Sequence, residues 1–194
     1  MKRSLALAGL FTLSACVSLG GGKPPETLLT LSSDARPAPD AVRSAAQGSS
    51  IAVYTPGVPE ALANDRIAVR TGDNSMAYIK DARWADEPAK LFADVLAETI
   101  SERTGRLVVD RRQYAMAPGA RLTGRLLSFG LDAPRGEVVV IYDAALAPGD
   151  GSPMIARRFE ARVPSASDKA PAVARALNQA TNRIAGEVAD WVGK

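Results

Sequence analysis

The chain has 194 residues, with 24 Lys and Arg against 21 Asp and Glu, a single cysteine and no histidine. That length suits one domain with a sizeable core, and 46% hydrophobic with 23% charged residues describes a globular body. The missing histidines exclude Ser-His-Asp and Cys-His catalysis and His-ligated metal sites, and one cysteine excludes an internal disulfide or a thiolate metal cage.

At the N-terminus, Lys2 and Arg3 precede an uncharged run from Ser4 to Ala15. The run falls short of the roughly 20 apolar residues of a spanning helix and fits the ~7–15-residue apolar region of a secretory signal. It ends in Leu13-Ser14-Ala15-Cys16, followed by Val17-Ser18-Leu19 and Gly20-Gly21-Gly22. This resembles the bacterial lipobox, in which small residues precede a cysteine that is lipidated and becomes the new N-terminus. The alternative is an ordinary signal peptide that contains a buried thiol, which leaves an exported chain with one odd, reactive cysteine. The lipobox implies an S-diacylglyceryl and an N-acyl group on Cys16, and no other cofactor is expected. At about 0.8 kcal/mol per buried methylene, several acyl chains make membrane attachment permanent.

Cleavage before Cys16 removes 15 residues, including Lys2 and Arg3, so 179 residues remain and the formal side-chain charge falls from +3 to +1. A near-neutral chain has no general pull toward nucleic acid. Lipoproteins of this kind are often sorted by the residue after the cysteine, Asp favouring the inner membrane. Val17 therefore points to the outer membrane, periplasmic face. The expected division is a signal peptide at 1–15, a lipidated cysteine and flexible tether at 16–26, and a single domain at 27–194.

Within that domain, Thr27 to Leu31 is a short strand candidate, followed by a loop punctuated by Pro37, Pro39 and Gly48. Ser50 to Tyr54 is a second strand, ended at Pro56-Gly57. Arg66 to Arg70 and Met76 to Ile79 flank Gly72-Asp73-Asn74 as a hairpin. A helix follows, with Asp86 as N-cap, Pro88 in its first turn and Gly105 as its stop. Phe92, Leu96 and Ile100 form its apolar stripe, widened by Leu91 and Val95, with Asp94, Glu98 and Glu102 opposite. Arg106 to Asp110, Ala120 to Leu131, Glu137 to Leu146 and Met154 to Val163 read as strands, and short connections make the last three an antiparallel meander. Arg158, Glu160 and Arg162 alternate with Phe159, Ala161 and Val163, which leaves one sheet face solvated. Asp168 to Val192 is a long helix whose seam is Val173, Leu177, Ala180, Ile184, Val188 and Trp191. The fold class is α+β, a two-layer sandwich of a mainly antiparallel sheet with one central amphipathic helix and one long C-terminal helix.

No residue set reads as catalytic or metal-binding. Gly20-Gly21-Gly22-Lys23 lacks the preceding strand and following helix of a phosphate loop. Asp94, Glu98 and Glu102 are the solvated face of a helix before they are an acid/base cluster. Ser-x-x-Lys and Gly-x-Ser-x-Gly are absent. Arginine supplies 18 of the 24 basic residues, with clusters at Arg103, Arg106, Arg111, Arg112 and at Arg157, Arg158, Arg162. These suit either local ion pairs or anionic headgroups and partner carboxylates. Trp84, expected in the loop before the first helix, is either a cover on the core or an exposed anchor for a partner.

The lipobox, the Thr-x-Leu near Leu31, Asp65-Arg66-Ile67-Ala68-Val69-Arg70, Ala77-Tyr78 and Ala82-Arg83-Trp84-Ala85 leading through Pro88 into a helix together resemble the ABC-type transport auxiliary lipoproteins. The similarity spans roughly Thr27 to Val192. It departs from the family at Thr27 and Leu28, where aromatic residues commonly stand. The resemblance implies a non-enzymatic periplasmic lipoprotein, membrane-bound through its anchor. It would dock on the MCE-domain substrate-binding protein of an ABC transporter and assist movement of phospholipids or other hydrophobic molecules. Arg83, Trp84 and Arg70 are the partner-contact candidates, and a homo-oligomer stays open. Two alternatives share the anchor: a structural adaptor of another envelope-assembly or secretion machine, and a hydrolase using carboxylates such as Asp94 and Glu98.

Overall fold

The computed structural model describes residues 27–35, 42–46, 48–109 and 119–193. In chain order these form β1 (Thr27–Leu29), β2 (Ile51–Val53), a 3-10 turn (Glu60–Leu62), β3 (Arg66–Gly72), β4 (Ser75–Trp84) and α1 (Pro88–Thr104). Then come β5 (Val108–Val109), β6 (Ala120–Asp132), a second 3-10 turn (Ala133–Arg135), β7 (Glu137–Ala147), β8 (Ile155–Pro164) and α2 (Ala170–Val192).

The expected meander is the spine of an eight-stranded sheet. β7 pairs antiparallel with β6 on one side and β8 on the other, in a register that sets Leu131 opposite Val138 and Val140 opposite Ala161. Val138, Val140, Tyr142 and Ala144 of β7 all turn to one buried face, as period-two alternation requires. Gly136 closes the β6–β7 turn at φ 64°, a left-handed conformation that glycine adopts at little cost. A bulge between Leu126 and Ser128 breaks the β6–β7 register.

The shorter strands add a parallel component. On the far edge of β6, β2 pairs along its first residues (Ile51 with Ala120, Val53 with Leu122), Gly57 bridges Arg125, and β3 pairs further on (Ala68 with Gly130, Arg70 with Asp132). All three run parallel to β6, so β2 and β3 behave as one strand interrupted by an excursion that carries the first 3-10 turn. β3 then pairs antiparallel with β4 through the expected hairpin. β1 adds to β4, and β5 to β2, in parallel. β4 runs through to Trp84, so Arg83 and Trp84 lie in a strand and not in a loop. One of the two irregularities of β4 against β3 falls around Asp81, at φ 58°, a conformation Asp tolerates better than most residues.

Both helices pack on one face of the sheet and against each other, α1 also touching β2 and β5 and α2 lying over β6, β7 and β8. In α1, Glu87 is the N-cap and Pro88 begins the helix. The expected cap, Asp86, stands one residue earlier, its carboxylate accepting from the Glu87 amide at 2.7 Å and from Lys90 Nζ at 3.1 Å. Gly105 ends the helix at φ 67°, donating its amide to Ser101 O. Phe92, Leu96 and Ile100 are fully buried, as are Val173, Leu177, Ile184 and Val188 of α2. Each such side chain stabilises by about 1.5–3 kcal/mol relative to exposure. Aromatic pairs tie the layers: Phe92 with Tyr142 at 5.1 Å and Phe159 with Trp191 at 5.6 Å between centroids.

Beyond β1 the chain crosses the helices as a strap. Asn178 accepts from the Ser32 amide, and Asn182 accepts from the Asp34 amide while donating to Ser32 O, each at 2.8 Å. Ser33 Oγ meets Thr99 Oγ1 of α1 at 3.0 Å in the interior. Two asparagines four residues apart on one helix face thus replace the backbone partners a strand would supply.

Candidate functional site

The helices leave the other sheet face open, and a groove of about 560 Å³ lies on it. The excursion between β2 and β3 walls one side through Leu62, and the start of β4 contributes Met76. The floor is Leu127, Val139 and Ile141 from β6 and β7. Val139 is 8% exposed although no helix covers it, so the groove's own walls bury it.

The end nearest the β6–β7 turn is polar. Asp132 is 2% exposed and its Oδ2 accepts from Arg70 and, at 3.4 Å, from Arg135. Its Oδ1 is buried without a hydrogen-bond partner. The Arg70 guanidinium holds the Asp132 carboxyl below the usual carboxylate range. Arg70 also lies 3.7 Å from exposed Asp73. Arg162 reaches the same end from β8 and bonds Glu137 at 2.8 Å and Glu160 at 2.7 Å. Further along the open face, Arg158 grips Asp143 through both oxygens at 2.6 and 2.7 Å and lowers its pKa. A groove of this size, mostly apolar with a few convergent polar groups, has the form of a small-molecule site.

The partner-contact candidates are not brought together. Trp84 is 2% exposed and its ring stacks at a tilt on Phe129, centroids 5.6 Å apart. It is a core residue, and the expectation that it contacts a partner is corrected: a buried indole presents no surface. Arg83 pairs with Asp65 at 3.0 Å, half exposed. It stands opposite Arg66 at one end of β3, while Arg70 lies four residues on, roughly 13 Å away at about 3.3 Å per residue. Of the three, only Arg70 reaches the groove. Cys16, Arg111 and Arg112 lie outside the described residues.

The remaining sequence candidates resolve locally. Asp94 and Glu98 are exposed on α1, and Glu102 pairs with Arg43. Arg103 pairs with Asp190 at 3.0 Å, Arg106 donates to Ser49 O, and Arg157 lies over the Phe159 ring. Among the described residues, no group of three or more Cys, Asp or Glu side chains is placed to hold a metal ion, and no helix is long and apolar enough to cross a membrane. Sequence reasoning missed Asp132, Arg135, Leu127, Val139 and Ile141. Only the weak signal of apolar residues on the solvated parity of β7 pointed there.

Two solved structures share this architecture. A crystal structure of a protein from Xanthomonas campestris, of the family designated DUF330, superposes with a TM-score of 0.70 at 20% identity, covering 86% of this chain and 94% of that one. A crystal structure of an uncharacterized protein gives 0.66 at 18% identity, covering 78% and 96%. At these identities the likeness establishes the fold. No curated relative matches. The model of one family does match, over residues 29–189, nearly the whole described sandwich and its strap. The chain belongs to the family of ABC-type transport auxiliary lipoprotein components.

Proposed function

We propose that the protein is a non-enzymatic adaptor, anchored by lipid on Cys16 to the periplasmic face of the outer membrane, that serves an ABC transporter with an MCE-domain substrate-binding protein. The cargo in this reading is phospholipid or another hydrophobic molecule. The observation that carries it is the family match beginning at residue 29, directly downstream of a lipobox and a glycine tether. The tether, residues 16–26, would hold the domain at 27–194 within reach of the membrane while leaving it free to turn. A fully extended chain of that length spans about 36–40 Å. The open sheet face, built from paired charges around an apolar floor, is the surface offered to the transport assembly, with Arg70 and Arg83 at separate places along the neighbouring hairpin. Assembly of several copies around one transporter is compatible with that arrangement.

Fractionation of the full chain and its Cys16→Ser variant tests the anchor. The unsubstituted chain should be processed and recovered with outer membranes. The variant should accumulate as a precursor with its leader intact. Normal processing and outer-membrane recovery of Cys16→Ser would refute lipid anchoring, and with it the adaptor geometry.

A further inference from the structure

The groove on the open sheet face combines three features that together select a ligand. Its floor is apolar, made by Leu127, Val139 and Ile141, and it is long enough to occupy about 560 Å³. Its charged lining gathers toward one end, where Arg70, Asp132, Arg135 and Arg162 stand, and Ser128 adds a hydroxyl beside Ile141. At that end both signs of charge stand side by side: Arg70 and Arg135 meet Asp132, Arg70 approaches Asp73, and Arg162 meets Glu137 and Glu160.

An apolar floor with charges gathered toward one end fits an amphiphile, with its chain on the floor and its head at the charges. The presence of both signs decides the kind of head. A purely anionic head would gain the guanidiniums and be repelled by the carboxylates, and a purely cationic head would meet the reverse. A head carrying both signs can set its anion against Arg135 and Arg162 and its donor against the carboxylates. Asp132 is the specific receptor for that donor. Its carboxylate is buried, one oxygen is engaged by two arginines, and Oδ1 has no partner. A buried acceptor without a donor is costly, and a ligand N–H would relieve it. The Arg135 side chain beside it is 62% exposed and can swing aside to admit a head group.

We infer that this groove binds a single-chain zwitterionic amphiphile, of the lysophosphatidylethanolamine type, with the acyl chain on Leu127, Val139 and Ile141 and the ammonium donating to Asp132. The site belongs to this chain whether or not it docks on an MCE protein. The inference goes beyond the adaptor reading in assigning the auxiliary subunit a ligand of its own.

The test uses the mature chain from residue 17 onward, which keeps the whole family-matched segment, purified without detergent and dialysed to equilibrium against 1-palmitoyl-lysophosphatidylethanolamine below its micellar concentration. Saturable one-to-one binding is expected, with 1-palmitoyl-lysophosphatidylglycerol and monopalmitoylglycerol at least fivefold weaker. Ile141→Arg and, separately, Leu127→Arg should weaken binding at least tenfold while leaving the circular dichroism spectrum and melting temperature near the parent's. Both positions are partly exposed, so a long polar side chain is tolerated there. Asp132→Asn should abolish the preference for the zwitterion over the anion. Absence of saturable binding, equal binding by both arginine variants, or equal binding of the anionic lipid would overturn the assignment. Failure here alongside recovery of the transporter would leave the adaptor reading standing and remove only the ligand.

Discussion

Replacing Trp84 separates two roles that its sequence context allowed. In the structure its indole is fully enclosed and packs on Phe129 across the β4–β3–β6 part of the sheet. Removing such a side chain leaves a cavity that neighbours fill only in part, and Trp→Ala in a core costs about 3–5 kcal/mol. That is a large share of a typical domain's ~5–15 kcal/mol. For a domain of this size each kcal/mol lowers the melting temperature by about 2–4 °C, so Trp84→Ala should melt roughly 6–20 °C below the parent. Trp84→Phe, which keeps a ring against Phe129, should lose less than half of that. Thermal and urea unfolding of the full chain, followed by far-ultraviolet circular dichroism, reads both numbers. If Trp84→Ala shifts stability by less than about 1 kcal/mol yet abolishes partner recovery, Trp84 is a surface anchor and its burial here is wrong.

Two further outcomes follow from the geometry. Tyr142 is buried, its hydroxyl donating to Thr123 O at 3.0 Å, and burial pushes its pKa well above the usual tyrosine value. The raised folded-state value means this group's contribution is whole below about pH 10, where unfolded tyrosine titrates, and is lost as pH climbs beyond it. Tyr142→Phe should therefore flatten the alkaline limb of stability measured by urea unfolding from pH 8 to 11, at a cost of about 0.5–1.5 kcal/mol near neutrality for the lost hydrogen bond. An unchanged limb would contradict this. In the strap, Asn182→Ala removes the acceptor for the Asp34 amide and the donor to Ser32 O. Amide exchange at residues 32–35 should accelerate while that of β6 and β7 stays unchanged, and uniform acceleration would show that the strap opens only with the whole domain.

Local patterning made much of this fold legible. Alternation carried β6, β7 and β8 to within a residue or two of their ends, and the 3.6-residue stripe carried both helices. The hairpin at Gly72-Asp73-Asn74 followed from its turn residues. What stayed hidden was non-local. β1, β2 and β5 are two or three residues long, and their parallel partners lie 55, 57 and 69 residues away at the first registered pairs, distances over which a strand pattern says nothing about who pairs with whom. The Trp84 segment read as a loop because Asp81 breaks the alternation of β4. The groove was illegible for the same reason: it draws on five strands and two 3-10 turns, and Asp132 looked like a turn residue until Arg70 was placed beside it by the β3–β6 pairing. The expectation at Cys16, by contrast, rests on its immediate neighbours alone, and it lies outside the described residues.

The adaptor role is tested most directly by affinity purification of the full-length lipoprotein from gently solubilised envelopes, with the bound proteins identified by mass spectrometry. The account predicts recovery of an MCE-domain protein together with its ABC permease and ATPase, and loss of that recovery when lipidation is blocked by Cys16→Ser. Repeated recovery of the lipoprotein without any ABC-transporter subunit, under conditions that keep known membrane complexes intact, would contradict it.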